Sequence, residues 1–251
     1  MFQYQTEQFR KDLKGLEISL SEKQIAQFVR YYELLVKWNQ MMNLTAITEY
    51  EDVMKKHFID SLSLVKAYDM NGASNLIDVG TGAGFPGLVL KIAFPGCRVT
   101  LLDSLNKRIQ FLNAVISDLE LTDVEAVHGR AEDFARPGKL RESFELCVSR
   151  AVANLSTLSE YCIPFVKKGG FFVAYKSEKI SDETAGAENA IALLGGKVKE
   201  KKEFLLPDSD IYRCLFVIKK EKETPGKYPR KAGLPAKEPL HYIADRQDLY
   251  S

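Results

Sequence analysis

The sequence predicts an α/β chain, a doubly wound and mostly parallel seven-stranded sheet preceded by a helical cap. Three observations carry this. From Asn75 onward, apolar strand-like runs alternate with helical patterns, which implies a parallel sheet covered by helices. The first run, Leu76-Ile77-Asp78-Val79, opens directly into a glycine-rich loop, Gly80-Thr81-Gly82-Ala83-Gly84-Phe85-Pro86-Gly87. Before Asn75 the apolar residues recur at helical spacing instead.

Composition bounds the reading. The 251 residues are 45% hydrophobic and 27% charged, which suits one large domain with a smaller companion. A net charge of +1 excludes a uniformly basic coat, so nucleic-acid binding would have to rest on local patches. The N-terminal stretch does not read as a signal peptide, and no apolar run approaches membrane-spanning length. Cys97, Cys147, Cys162 and Cys214 form no CxxC pair, and His57, His128 and His241 are scattered; reduced thiols of a cytoplasmic protein without a metal site are expected.

In chain order, Ser21-Glu22-Lys23-Gln24 has the form of a capping box. Ile25, Phe28, Val29, Tyr32, Leu35 and Val36 then share one helical face, and Trp38 is expected to close that helix. Thr48 is expected to cap a short helix through Met54, and Ser61 to Val65 to belong to another. The turn Asn71-Gly72-Ala73-Ser74 suggests a division into a helical cap, 1–72, a cofactor-binding domain, 73–220, and a basic Pro/Gly-rich tail, 221–251. Further strands are expected at Val99–Leu102, Val124–Val127, Phe144–Val148 and Gly170–Tyr175. Helices are expected over Lys107–Leu119, Leu155–Phe165 and Ala185–Leu194. Val198–Leu205 and Tyr212–Ile218 have no helix between them and so should pair antiparallel. The tail reads either as solvated chain or as a contact for RNA phosphates, with frayed residues from His241.

The glycine loop satisfies G-x-G-x-x-G, a pattern that alone admits a dinucleotide. Pro86 falls where a first helical turn should begin. Two acids shift the balance. Asp78, two residues before Gly80, can meet the cationic amino end of a methionine moiety but would repel a pyrophosphate. Asp103, ending the second strand, can accept from ribose hydroxyls. Together they favour S-adenosylmethionine (SAM) over NAD; the competing role for each is a cap or turn acid. After the third strand, Ala131 leaves room for adenine and Glu132 can accept from an amino group. After the fourth strand there is neither an Asn-Pro-Pro-Tyr tetrad nor a Pro-Cys pair, which argues against exocyclic-amine and pyrimidine-C5 acceptors. Arg150 remains there; it could bind the methionine carboxylate, a phosphate or the guanine O6 edge, and beside a sulfonium it should engage an anionic group, the competing role being a plain structural ion pair.

Several blocks fall in order: Trp38-Asn39 with Met42-Asn43-Leu44-Thr45, His57-Phe58-Ile59-Asp60-Ser61, Asp78 to Leu88, Gly129-Arg130-Ala131-Glu132, Ser149 to Ala153, and Pro225-Gly226-Lys227. With them the chain resembles the bacterial small-subunit rRNA guanine-N7 methyltransferases, also called the glucose-inhibited division protein B family. The resemblance implies a class I SAM-dependent methyltransferase (Rossmann-like) fold with one antiparallel strand. It also implies methylation of a guanine N7 in the decoding-region loop of 16S rRNA; a 30S subunit or its precursor as the substrate particle and a monomeric enzyme are expected. Asp78, Gly80, Thr81, Gly82, Gly84, Phe85, Asp103, Ala131, Glu132 and Arg150 would then hold the cofactor. Asn39, Asn43, His57, Arg130 and Arg213 would face the substrate, and Arg150 with Lys176 would hold the guanine or its phosphates during transfer. Competing readings are a SAM enzyme acting on a small molecule and a non-catalytic SAM- or NAD-binding protein.

Overall fold

The computed structural model describes residues 4–150, 153–177 and 181–240, the last stretch without the side chains of 181–185. Ala151 and Val152, which belong to one of the blocks above, and the residues from His241 lie outside the described ones.

The chain opens with α1 (Glu7–Gly15) and the long α2 (Glu22–Met42). The capping box forms in both directions, with the Gln24 amide donating to Ser21 Oγ and the Ser21 amide to Gln24 Oε1. Trp38 does not end α2. The helix continues to Met42 and stops at Asn43, which takes the left-handed conformation at φ 49°. Thr48 is not a cap either: Glu49 precedes α3 (Tyr50–Val53) without a side-chain cap, and the Thr48 carbonyl accepts from the Tyr32 hydroxyl. A π-helical turn, Met54–Ile59, leads into α4 (Asp60–Leu62) and a 3-10 turn, Ser63–Lys66. Such wide turns rotate side chains out of α-helical register; this one carries His57 and leads directly into Asp60.

The sheet follows. β1 (Asn75–Val79), α5 (Gly87–Ala93), β2 (Arg98–Asp103), α6 (Asn106–Asp118), β3 (Val124–His128) and α7 (Ala131–Phe134) make the first half. β4 (Phe144–Ser149), α8 (Leu155–Cys162), β5 (Val166–Lys176), α9 (Ser181–Leu193), β6 (Gly196–Leu205) and β7 (Tyr212–Lys220) make the second. A short α10 (Leu234–Lys237) ends the described chain. Strand order is β3-β2-β1-β4-β5-β7-β6. β7 alone runs antiparallel, against both β5 and β6, as the missing helix between them predicts. Order reverses between β1 and β4, and at such a switch point the carboxyl ends of parallel strands leave a crevice.

Two cores flank the sheet. On one face Phe28, Tyr31 and Phe58 of the N-terminal helices pack into the same cluster as Leu88 and Phe111. The helical cap therefore shares its core with the sheet. On the other face Leu158 and Cys162 of α8 and Ile191 of α9 cover Cys147 and Phe216. All four cysteines are buried free thiols.

The basic tail packs back on the body as far as it is described. Thr224 and Tyr228 are buried, and Arg141 donates to the Tyr228 carbonyl at 2.8 Å. Arg230 forks onto the fully buried Glu160 of α8, with Nη2 to Oε2 at 2.7 Å. Lys227, Lys231 and Lys237 remain exposed. A purely solvated chain is thus excluded for this stretch, because a buried carboxylate needs its cation.

Candidate active site

The glycine loop builds one wall of the crevice. Gly80, Gly82 and Gly84 all take positive φ, at 73°, 62° and 94°, angles that side chains disfavour. The amides of Gly80 and Thr81 donate to Leu102 O at 2.9 and 3.2 Å, tying the loop to the end of β2. A Cβ on Gly84 would collide with the Tyr31 hydroxyl and Leu88, whereas one on Gly82 would meet no atom within 4 Å. Gly84 is thus a packing glycine and Gly82 borders open space. Pro86 stands just ahead of α5, at its N-cap position, and not in its first turn.

Asp78 braces the loop from behind. Its Oδ2 accepts from Thr81 Oγ1 at 2.6 Å and from the Gly87 amide at 2.8 Å. Its Oδ1 is buried with no hydrogen-bond partner among the described residues. Burial lifts this carboxyl to a pKa of about 7, against the opposing pull of the two hydrogen bonds. An unpaired buried oxygen is costly, and an ammonium or a water beside it would remove that cost. Asp103 is oriented by the Gly82 amide at 2.9 Å and Arg108 Nη1 at 3.2 Å on Oδ2, and by the Leu105 amide on Oδ1.

These walls enclose a cleft of about 660 Å³, lined further by Ala131, Glu132, Tyr161 and Gly233. Thr81, Phe85 and Arg130 also line it, Arg130 being exposed at the rim. The residues fit SAM: glycines that leave room, Asp103 for a ribose and Glu132 for an amino group, with Asp78 bracing the loop from behind.

At the mouth lies Arg150, with its guanidinium 5.1 Å from the Phe85 ring centroid. Nη1 donates to Asp60 Oδ2 at 3.0 Å and to Lys56 O at 3.2 Å, and Nη2 lies 3.2 Å from His57 Nδ1. Arg150 thus forms the structural ion pair, with Asp60 as its partner. Since arginine can only donate, His57 Nδ1 accepts, and its Nε2 proton is directed at Thr45 Oγ1, 2.8 Å away. The imidazole stacks on Phe85 at 4.4 Å. Burial, reinforced by Arg150, pushes its pKa down to about 3, so the ring is neutral at neutral pH.

Other expected site residues act at one remove or lie apart. Asn39 and Asn43 do not line the cleft; Asn39 Oδ1 accepts from the Thr45 amide at 2.8 Å, and Asn43 turns the chain. They deliver Leu44 and Thr45 to the wall. Arg213 Nε donates to Asp60 Oδ1 at 2.7 Å, outside the lining. Lys176 likewise lies outside the lining and donates to Ala153 O at 2.6 Å. Gly84 and Asp78 sit behind the wall. The sequence reading missed Asp60, Tyr31, Tyr161 and Gly233. Asp60 was visible inside the His-Phe-Ile-Asp-Ser block, but nothing local reveals a partner ninety positions on.

The family model described as rRNA small subunit methyltransferase G (GidB) matches residues 24–212. A ribosomal RNA small subunit methyltransferase G from Lachnoclostridium phytofermentans is 56% identical over 232 residues, covering 92% of this chain and 96% of that one. The protein so named from Staphylococcus aureus (strain JH9) is 52% identical over 230 residues, with the same coverage of 92% and 96%. A methyltransferase from Pyrococcus furiosus superposes with a TM-score of 0.54 over 78% of this chain and 98% of that one. At 14% identity this likeness shows the class I methyltransferase fold alone.

Proposed function

The chain belongs to the rRNA small subunit methyltransferase G family, and from that membership we propose that it methylates N7 of a guanine in the decoding-region loop of 16S rRNA, with SAM as donor. When bound, SAM supplies an electrophilic methyl group on a sulfonium. The observation that carries the reading is the cleft itself: cofactor-type contacts at its back and, at its mouth, Arg150 clamped over Phe85 by Asp60.

The protein's own groups then act by placement. Asp78 holds the glycine loop in shape from behind the wall, Asp103 receives ribose hydroxyls, and Glu132 receives an amino group at the far end. Guanine N7 carries a lone pair and no proton at neutral pH, so no side chain has to serve as a base. Alignment and fixed charge suffice for an in-line transfer. Arg150, held on the mouth side, presents a planar donor fork suited to the guanine edge or a flanking phosphate. His57 stays neutral and adds no charge of its own, which limits repulsion of the incoming sulfonium. Asn39 and Asn43 shape the turn beside this face, while Arg130 at the rim and Arg213 behind Asp60 add positive potential toward RNA. Lys176 at the end of β5 lies away from the cleft wall and donates to Ala153 O, so the guanine contact expected of it falls to Arg150.

The substrate particle in this reading is the 30S subunit or its precursor, and the enzyme works as a monomer. Among the described residues no helix is long and apolar enough to cross a membrane. The deciding experiment incubates the protein and labelled SAM with ribosomal particles lacking the modification, then maps the labelled base. Label on guanine N7 of 16S rRNA is expected; label on another base, or none on RNA, overturns the proposal.

A further inference from the structure

One wall of the cleft comes from outside the loops that end the parallel strands. Gly233, in the basic tail, lines the cleft. Its amide donates to Glu132 Oε1 at 2.9 Å, a contact made across 101 positions of sequence. Glu132 is buried and opens α7, where it is expected to receive an amino group. One of its two oxygens is thus already committed to the tail, which leaves the other for a ligand.

The tail is fixed hard enough to matter. The Arg230 amide and Nε both donate to Glu160 Oε1, at 2.7 and 2.9 Å, and Nη2 donates to Oε2 at 2.7 Å. Glu160 has no exposed surface and is followed by Tyr161, itself a cleft residue. Bidentate pairs of this kind fix orientation as well as supplying attraction. Farther on, the Pro235 carbonyl accepts from Thr157 Oγ1 at 3.0 Å, so α8 grips the tail on both sides of Gly233. Between these anchors Gly233 takes φ 82°, a left-handed angle that aims its amide at Glu132.

We propose that the C-terminal segment around Arg230 and Gly233 is the selectivity wall of the nucleoside pocket, in which the Gly233 amide orients Glu132 to recognise a 6-aminopurine over a 6-oxopurine. Gly233 and Arg230 are positioning residues that act through Glu132. With Oε1 held by a donor, the remaining carboxylate oxygen faces the base as an acceptor. It attracts an exocyclic amine and repels a 6-oxo group. Without the tail contact the carboxylate can rotate, and both the affinity and the discrimination fall. This inference rests on the SAM reading of the cleft.

The test measures calorimetric binding of S-adenosylhomocysteine and of its deaminated analogue S-inosylhomocysteine, alongside the ligand-free melting temperature, in the full chain. Gly233→Pro removes the amide donor and cannot hold the positive φ. Gly233→Ala strains the same angle, while its methyl meets no atom within 4 Å. Gly233→Pro is expected to weaken the adenosyl ligand about tenfold and the inosyl ligand far less, so that their affinity ratio falls toward one. Gly233→Ala should move both in the same direction by a smaller factor, and Arg230→Gln should follow Gly233→Pro. Melting temperatures that fall while the affinity ratio stays at its wild-type value would assign the tail a purely structural role and overturn the proposal. A wild-type protein that binds neither ligand would instead overturn the cofactor reading itself.

Discussion

The Asp60 carboxylate holds the Arg150 guanidinium at 3.0 Å, and through it fixes a cation that stands over Phe85 at the mouth of the cleft. Asp60 is almost fully buried and also accepts from Arg213 at 2.7 Å, so two arginines depend on one acid. Replacing it with Asp60→Asn keeps the shape and removes the charge. The expected cost is about 2 to 3 kcal/mol of stability, the worth of hydrogen bonds to a charged group. Methyl transfer to ribosomal particles should fall more than SAM binding does. Calorimetry and single-turnover assays on the same sample check this; equal losses in both would place Arg150 on the cofactor side only.

Arg150→Lys keeps the charge but loses the planar fork that spans Asp60, Lys56 O and the Phe85 face. Roughly a 100-fold drop in kcat/KM for RNA is expected, the scale of a misplaced positioning group. Wild-type rates in the lysine variant would reduce its role to bulk charge.

The loop glycines separate packing from cofactor space. Gly84→Ala drives a methyl into Tyr31 and Leu88 and should cost about 3 kcal/mol. Gly82→Ala meets no protein atom, so strain at its positive φ should cost only about 1 to 2 kcal/mol. Its methyl nevertheless projects into the space assigned to SAM. Melting curves with and without SAM should show Gly82→Ala folded but no longer stabilised by ligand.

Asp78 gives the free protein a pH dependence of definite sign. Its folded pKa of about 7 lies above the ordinary carboxyl value, so between these two values the native state binds more protons than the unfolded chain. This group therefore destabilises the fold progressively as pH rises from about 4 to 7. His57 works in the opposite direction: its folded pKa of about 3 lies below its ordinary value, so its contribution is lost as pH falls from about 6.5 toward 3. Asp78→Asn isolates the first effect. Urea unfolding should show the variant gaining on the wild type across pH 4 to 7. A pH-independent difference between the two proteins would contradict the assignment.

The chemistry needs no proton acceptor, and the kinetics should say so. Glu132→Gln should raise KM for SAM about tenfold and leave kcat within about threefold, since it removes binding but no proton transfer. A kcat loss above about 100-fold with SAM and RNA binding intact would make Glu132 a base.

The sequence by itself determined the sheet and the kind of cofactor. The alternation from Asn75 and the missing helix before Tyr212 dictated seven strands with one reversed, because strand periodicity and connection length are local properties. Asp103 was expected at the end of the second strand, and there the Leu105 amide from its own turn and the Gly82 amide from the glycine loop both hold it. Tertiary structure decided the rest. Asp78 turned out to brace the loop with one oxygen and leave the other orphaned, a division set by the loop's fold. Arg150 acquired its place through Asp60, which opens α4 just after a π-helical turn ninety residues earlier, and Glu132 was met by Gly233 from a tail that composition alone reads as solvated chain or an RNA contact. Pairings across such distances exist only once packing has brought the elements together, and no local pattern of residues encodes them.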